Sequence, residues 1–117
     1  MRQVLVQVPS NTAGATVYIP AFNACTVLGA KVVNSAAPGG SGTAVSLVVG
    51  STTIGTVTVG AAAAAATVSS VVMNATLATR KTPISATVPL RVVAAASTNA
   101  TAYDVLVSFD DHARTRD

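Results

Sequence analysis

Residues 43–59, TAVSLVVGSTTIGTVTV, have the pattern of two short strands joined by a tight turn, and they constrain the fold more than any other stretch. Apolar side chains recur at every second position of the first half, which is the period of a strand with one buried face: Val45, Leu47 and Val49. Gly50-Ser51 suits a two-residue type II′ turn, because the first turn position needs a positive φ. A helix is a poor alternative, since Gly50 and Gly55 would both weaken it.

The rest of the chain repeats this pattern in short segments separated by clusters of Gly, Pro, Ser and Asn. Besides the two hairpin strands at residues 43–49 and 52–59, the pattern predicts strands at residues 3–8, 15–19, 26–34, 67–73, 84–93 and 102–109. Loops are predicted at residues 35–42 and 74–83, and the alanine run at residues 60–66 predicts a compact crossover, helical or irregular.

About eight short strands without a long helix predict an all-β fold, an antiparallel two-sheet sandwich of the jelly-roll type. An immunoglobulin-like sandwich is the main alternative, because the strand order cannot be read from the pattern.

Two of the predicted strands carry more detailed expectations. Residues 84–93 alternate most cleanly, and their apolar face consists of Ile84, Ala86, Val88, Leu90 and Val92. Pro89 cannot donate a ladder hydrogen bond, which predicts that this strand lies at a sheet edge or contains a bulge. In residues 102–109 the inward face is predicted to consist of Tyr103, Val105, Val107 and Phe109.

The length of 117 residues suits one domain. We expect a single β-sandwich domain at residues 1–111, with an N-terminal strand or arm at residues 1–10, and a charged, solvated tail at residues 112–117. Aromatic residues are only 3% of the chain, so the core has to be built from Val, Ala, Leu and Ile. Such a thin core favours two closely packed sheets over a large ligand cavity.

Charged residues are scarce. They make up 9% of the chain against ~25% in an ordinary domain, and none lies between residues 32 and 79. A membrane span is not expected, because Pro38 and several glycines interrupt this stretch and no segment offers about 20 strongly apolar residues. The net charge of +3 is too weak a signal to predict nucleic-acid binding. We therefore expect much of the surface to be covered by other protein copies.

No catalytic, cofactor or metal-binding motif is present, and the chain is not expected to be an enzyme. His112, the only histidine, lies in the tail, where a catalytic triad would lack a rigidly oriented base. Asp104 stands alone within a strand, which leaves no basis for paired-carboxylate chemistry. Cys25, the single cysteine, is expected to be a buried thiol. The N-terminus lacks a signal-peptide core, so synthesis in a cytoplasm without export is expected.

Four segments together resemble the small decoration or cement proteins of tailed bacteriophage capsids: GAKVVNSAAPGGSGTAVSLVV, IGTVTV, TPISATVPLRVVAA and YDVLVSFDD. They cover most of the chain up to residue 111. The resemblance implies a virion structural protein, made in the host cytoplasm: a homotrimeric jelly roll on the capsid exterior that binds the major capsid protein and holds neighbouring coat subunits together. The segments also resemble jelly-roll modules of tail fibres and baseplates, which imply receptor or glycan binding as the alternative.

Seven residues are candidates for an interface: Arg2, Val4, Val6, Phe22, Arg80, Lys81 and Arg91. The N-terminal strand is expected to reach out and pair with a neighbouring sheet edge. The three later cations lack the interleaved aromatic residues of a nucleic-acid site, so we expect them to be solvated or to contact subunits. Phe22 is the best candidate for an exposed ring, although core or interface packing is preferred over sugar binding.

Overall fold

The computed structural model describes residues 2–10, 12–20, 25–85 and 87–111. Within these residues the chain forms nine strands and one single-turn helix, named in chain order: β1 (Arg2–Val8), β2 (Ala15–Ile19), β3 (Cys25–Asn34), β4 (Thr43–Val49), β5 (Thr52–Val59), β6 (Val68–Ser70), β7 (Val72–Met73), α1 (Leu77–Arg80), β8 (Leu90–Ala94) and β9 (Tyr103–Asp111). The predicted tail at residues 112–117 and the interface candidate Phe22 lie outside the described residues.

The strands form two antiparallel sheets, one with the order β1-β9-β3-β6 and one with the order β2-β8-β4-β5-β7. Apart from the short β7, the strands pair from the outside of the chain inward: β1 with β9, β2 with β8, β3 with β6 and β4 with β5. A ribbon folded in this way is a jelly roll. An immunoglobulin-like sandwich would place its first two strands in one sheet, whereas β1 and β2 lie in different sheets. The predicted all-β jelly-roll sandwich is confirmed.

The core lies between the two sheets and consists mainly of valine side chains. Alternate residues of each strand point inward, because successive side chains of a strand face opposite sides. The inward faces predicted for β4 and β9 are buried as expected: Val45, Leu47, Val49, Tyr103, Val105, Val107 and Phe109. These residues belong to one buried apolar cluster that draws on both sheets.

The β4–β5 hairpin has the predicted two-residue turn. The φ of Gly50 is 62°, and Ser51 does not share this left-handed region, which is the pattern of a type II′ turn. One irregularity interrupts the ladder, because Ile54 is an extra residue on β5 opposite β4. This bulge places Ile54 in the core, where it is fully buried.

The two ends of the sandwich differ in what they carry. The hairpin end holds the Gly50-Ser51 turn, the first residues of β3 and the helix α1. The loop end holds the connections at residues 35–42, 60–67 and 95–102. Backbone hydrogen bonds join these connections, for example from Gly39 N–H to the carbonyl of Ala61 (2.9 Å).

The strand predicted at residues 67–73 is divided between the two sheets. β6 pairs with β3 in the four-stranded sheet, and β7 pairs with β5 in the five-stranded sheet. Val71 lies buried between them, and its N–H donates to the carbonyl oxygen of Ala30 (2.9 Å). Both short strands keep the alternating pattern, so the sequence did not reveal the crossing, and the strands number nine in the described chain.

The strand predicted at residues 84–93 is wrong in its first half. Ile84 makes only an isolated bridge, to Cys25, and β8 begins at Leu90. Between them the chain turns, with the N–H of Ser85 donating to the carbonyl of Val88 (3.0 Å). The hydroxyl of Ser85 accepts a hydrogen bond from the N–H of Val88 (3.2 Å), which stabilises the turn over the extended form.

The expectation from Pro89 is also wrong. β8 is an internal strand between β2 and β4, not an edge strand. Pro89 stands immediately before Leu90, the first residue of β8, so it interrupts no ladder hydrogen bond. Val88 is exposed rather than inward, and Ala86 lies outside the described residues.

The two connections at residues 60–66 and 74–83 and the N-terminal segment complete the comparison with the predicted elements. The loop predicted at residues 74–83 contains α1, and the alanine run at residues 60–66 is irregular. The N-terminal segment is not an extended arm, because β1 pairs with β9 along its whole length, from Arg2 opposite Phe109 to Val8 opposite Tyr103.

Candidate interaction surface

The outer face of the four-stranded sheet exposes several large apolar side chains. Residues that pair across the sheet form rows on this face, and one row consists of Leu5, Leu106, Lys31 and Ser70. Leu5 is 59% exposed and Leu106 is 37% exposed. The next row consists of Gln7, Asp104, Val33 and Val68. An apolar surface of this kind usually marks a contact with another molecule.

A bulge in β3 adds a further apolar side chain to this face. The register between β3 and β9 shifts by one residue between Val27 and Gly29, so Leu28 is an extra residue on β3. A bulge re-aims its residue out of the regular ladder, and Leu28 is 49% exposed.

Two neighbouring cavities share Leu28 and Met73 in their linings, and we call them together the bulge groove. Its part on the outer sheet face has a volume of about 360 Å³, and its lining includes Gln3, Leu28, Lys31, Val71, Met73 and Leu106. Its part at the hairpin end has a volume of about 280 Å³ and is lined by Thr26, Val27, Leu28, Met73, Arg80 and Lys81. A Cβ atom added at Gly29 would meet nothing within 4 Å, so the space above this residue is open.

Among the described strands and bridges, pairing along the edge of β3 beside the bulge groove occurs at its two ends. At the hairpin end, Cys25 and Ile84 exchange both backbone hydrogen bonds (3.1 and 2.8 Å). Further along, Ala30 accepts from Val71, and β6 pairs only from Lys31 onward. Between these points, no strand of the described residues pairs with this edge of β3.

Two of the predicted interface cations line the bulge groove. Arg80 is the last residue of α1 and Lys81 follows it, and both line the hairpin-end part of the groove. Lys81 is exposed and Arg80 is half-buried. Lys31 supplies a third cation to the other part of the groove, and no acidic residue is among the described residues that line either part.

The other two predicted arginines lie at the hairpin end but contact their own chain. The guanidinium of Arg2 stacks on the Phe109 ring, 5.5 Å from its centroid, and its Nη2 atom lies 3.8 Å from the Sγ atom of Cys25. The Nη2 atom of Arg91 donates to the carbonyl oxygen of Gly50 (2.6 Å). Both side chains therefore have an intramolecular role, and their role in an interface stays a prediction.

The N-terminal candidates are divided by the alternation of β1. Val6 is buried and Val4 packs against the core, so their side chains belong to the sandwich itself rather than to its surface. The exposed apolar residue of this strand is Leu5. β1 is the edge strand of its sheet, so its outer backbone edge is the part of Arg2–Val8 that another strand could pair with.

No protein-family model, curated protein or solved structure matches this chain. The jelly-roll fold and its outer surface are therefore the observations that bear on function. In the described ranges, no helix has the length and apolar character of a membrane span. The same ranges contain no group of three His, Cys, Asp or Glu side chains that could hold a metal ion.

The sequence interpretation missed the bulge groove, because Leu28, Ala30 and Val32 alternate in the sequence as in a regular strand. In the structure the inward residues of β3 are Cys25 and Val27 before the bulge and Ala30 and Val32 after it. This change of phase is what one extra residue in a strand produces. The contribution of Met73 was not accessible from the sequence either, because it depends on where the chain crosses between the sheets.

Proposed function

We propose that this protein is a virion structural protein, a decoration or cement protein that binds the outer surface of a phage head and stabilises neighbouring coat subunits. The observation that carries the proposal is the apolar outer face of the four-stranded sheet, on a chain with only 9% charged residues. Covering such a face is favourable, because each Å² of apolar area removed from water contributes about 25 cal/mol.

The distribution of charge on this face supports broad contact rather than chemistry. Among the described side chains, its strands place only three charged groups outward: Lys31, Asp104 and Asp110. A cement protein needs neutral surface that spreads over its neighbours, and it needs no reactive group. The bulge groove is the part of this face with the most definite shape.

The proposal includes the partners that a cement protein requires. The protein assembles as a homotrimer on the capsid exterior, and the major capsid protein is its partner. Each protomer contributes a modest contact, and linking three of them raises the affinity of the whole without any new kind of contact.

The molar mass of the purified protein in solution tests the assembly. Light scattering on a size-exclusion column should give three times the chain mass. A monomer at every concentration would remove the trimer from the proposal.

Empty shells of the phage that encodes the chain test the location. The purified protein should bind these shells up to a fixed number of copies and raise the temperature at which they break. Cryo-electron microscopy of the loaded shells should show it at symmetry-related positions. Shells that neither bind the protein nor gain heat resistance would contradict the proposed function.

Receptor or glycan binding by a tail module is the second candidate, and one residue favours it. Tyr18 is 61% exposed on β2, and it lies opposite Arg91 on β8. An exposed ring can stack on a sugar, and a glycan array comparing the natural protein with the Tyr18→Ala variant tests this. Binding that disappears in the variant supports the tail module; an array without binding by the natural protein excludes it.

A further inference from the structure

We propose that the bulge groove binds an extended acidic segment of a partner protein, which adds to the edge of β3 as a short strand beside Val27. The inference rests on the proposed function only in naming the coat protein as the source of this segment. It assigns the bulge groove as the contact, and it gives the chemistry of what binds there.

The backbone of β3 supplies the first part of the argument. Both backbone groups of Cys25 face the outer edge, where they bond to Ile84. Because backbone groups alternate between the two edges of an antiparallel strand, the N–H and C=O of Val27 face the same edge. No strand of the described residues pairs there. Val27 is only 3% exposed but lines the hairpin-end part of the groove, so a strand that enters the groove meets its donor and acceptor.

The length of the interval along this edge suits a short segment. The interval extends from Cys25, bonded to Ile84, to Ala30, bonded to Val71. Five residue steps of a strand span about 16 Å, and because Ile84 and Val71 occupy the two ends, the room between them suits a segment of at most about four residues. β6 pairs with β3 only from Lys31 to Val33, so it does not extend into this interval.

The side chains that line the bulge groove specify the chemistry of the segment. Leu28, Val71 and Met73 provide an apolar floor for small apolar side chains. Arg80 and Lys81 stand at one end of the groove and Lys31 at the other, and the lining residues that the structure describes include no acidic one. Three cations beside an apolar floor favour a strand in which carboxylates alternate with apolar residues.

A matched pair of peptides tests the groove without any shell. The probe is a short peptide of alternating Asp and Val with blocked ends, and its control replaces each Asp by Lys. In nuclear magnetic resonance titrations we expect the Asp peptide to shift the amide signals of Val27, Leu28 and Gly29, and the shifts to weaken as salt is raised. The Lys peptide should shift none of them. Equal shifts with both peptides, or none with either, would overturn the inference.

A second pair of variants tests the groove in shell binding. Gly29→Trp fills the open space above β3, and Gly60→Trp is its control at the loop end, because a Cβ at Gly60 also meets nothing within 4 Å. We expect Gly29→Trp to lower the affinity for shells at least about tenfold and Gly60→Trp to leave it unchanged. A Gly29→Trp protein that folds and binds shells as well as the natural protein would overturn the inference.

The charge requirement has its own variant, which does not depend on filling the groove. Lys81→Glu reverses an exposed charge in the groove lining, and Gly60→Glu, which adds a negative charge at the loop end outside this lining, is its control. We expect about a tenfold loss of shell affinity for Lys81→Glu alone. An unchanged affinity would contradict the assigned acidic partner.

The two proposals fail in different ways. If the natural protein does not bind shells but the Asp peptide shifts the groove signals, the decoration function is wrong and the groove assignment stands. If the natural protein binds shells and the groove variants bind equally well, the function stands and the groove assignment is wrong. Groove signals that change with protein concentration alone would place a second copy there and overturn the acidic segment.

Discussion

The close approach of β5 and β7 in the five-stranded sheet depends on the absence of a side chain at Gly55. A Cβ atom at Gly55 would lie 2.9 Å from both the Sδ atom of Met73 and the Cγ1 atom of Val71, and 3.2 Å from the carbonyl oxygen of Val72. The absence of a side chain at Gly55 therefore permits β7 to pair with β5 and Val71 to enter the core.

The Gly55→Ala substitution tests this close packing. Overpacking of a filled core costs about 1–3 kcal/mol, so we expect Gly55→Ala to lower the free energy of unfolding by that amount in urea denaturation. Gly60→Ala is the matched control, since its new methyl group meets no atom within 4 Å. Equal stability of the two variants would show that β7 does not constrain Gly55.

Removal of a buried hydroxyl, that of Tyr103, is expected to raise the free energy of unfolding. The hydroxyl of Tyr103 is buried and has no hydrogen-bond partner among the described residues. An unsatisfied buried polar group costs about 1–3 kcal/mol, so Tyr103→Phe should raise the free energy of unfolding by about 1 kcal/mol. Tyr18→Phe, at an exposed ring, should change nothing. A loss of stability in Tyr103→Phe would mean that the hydroxyl is satisfied.

Among the elements, the connection at residues 60–67 depends on one side chain of β3. Asn34 is buried at the loop end, and its Nδ2 atom lies 2.9, 3.0 and 3.2 Å from the carbonyl oxygens of Ala36, Ala63 and Ala64. The alanines themselves have no polar side chain, so the side-chain donors are Asn34 and Thr67, whose hydroxyl donates to the carbonyl oxygen of Ala64 (2.7 Å).

Replacing Asn34 by Ala should therefore destabilise the loop end. An amide group donates two hydrogen bonds at a time, and losing both leaves acceptors without partners, so we expect a loss of about 2–3 kcal/mol in thermal or urea unfolding. Asn99→Ala is the control, because Asn99 donates to the carbonyl of Ala37 (3.2 Å) from an exposed position. A cost no larger than that of the control would rule out the anchoring role.

Some strands and turns could be predicted from the sequence, and others could not. The hairpin and β9 were predictable because local alternation and turn chemistry determine them, as in Val45, Leu47 and Val49. The division of residues 67–73 and the turn before Leu90 were not, because a partner distant in sequence decides each: Ala30 for Val71 and Cys25 for Ile84. For the same reason Arg80 and Lys81 were proposed from charge alone, while their neighbours Leu28 and Met73 were missed.

For the whole molecule, the apolar outer face should control association but not folding. Leu106→Lys places a charge on this face, at a side chain that is already 37% exposed. We expect the variant to keep its melting temperature within a few degrees and to lose the proposed trimer formation and shell binding, because a buried unpaired charge is costly in an interface. Tyr18→Lys on the other sheet is the control. Trimers and shell binding that persist in Leu106→Lys would assign the contacts to another surface.

Removal of β1 should affect the fold itself. Val6 and Val8 are core residues, and β1 covers one edge of β9. A protein lacking residues 2–8 should therefore lose its cooperative thermal transition, which circular dichroism measures. Such a deletion cannot separate assembly from folding. Leu5→Lys changes a side chain on the exposed side of the same strand, so it is the variant that tests assembly.

The pairing of β1 with β9 has a consequence for biosynthesis. β1 is made before the other described strands, and its partner β9 spans Tyr103–Asp111. A chain still attached to the ribosome therefore carries the valines of β1 without cover until β9 has emerged. Domains dominated by such distant pairings fold in milliseconds to seconds, which leaves time for nascent chains to meet chaperones or one another. The yield of native protein in a cell should therefore depend on how densely ribosomes load its messenger RNA.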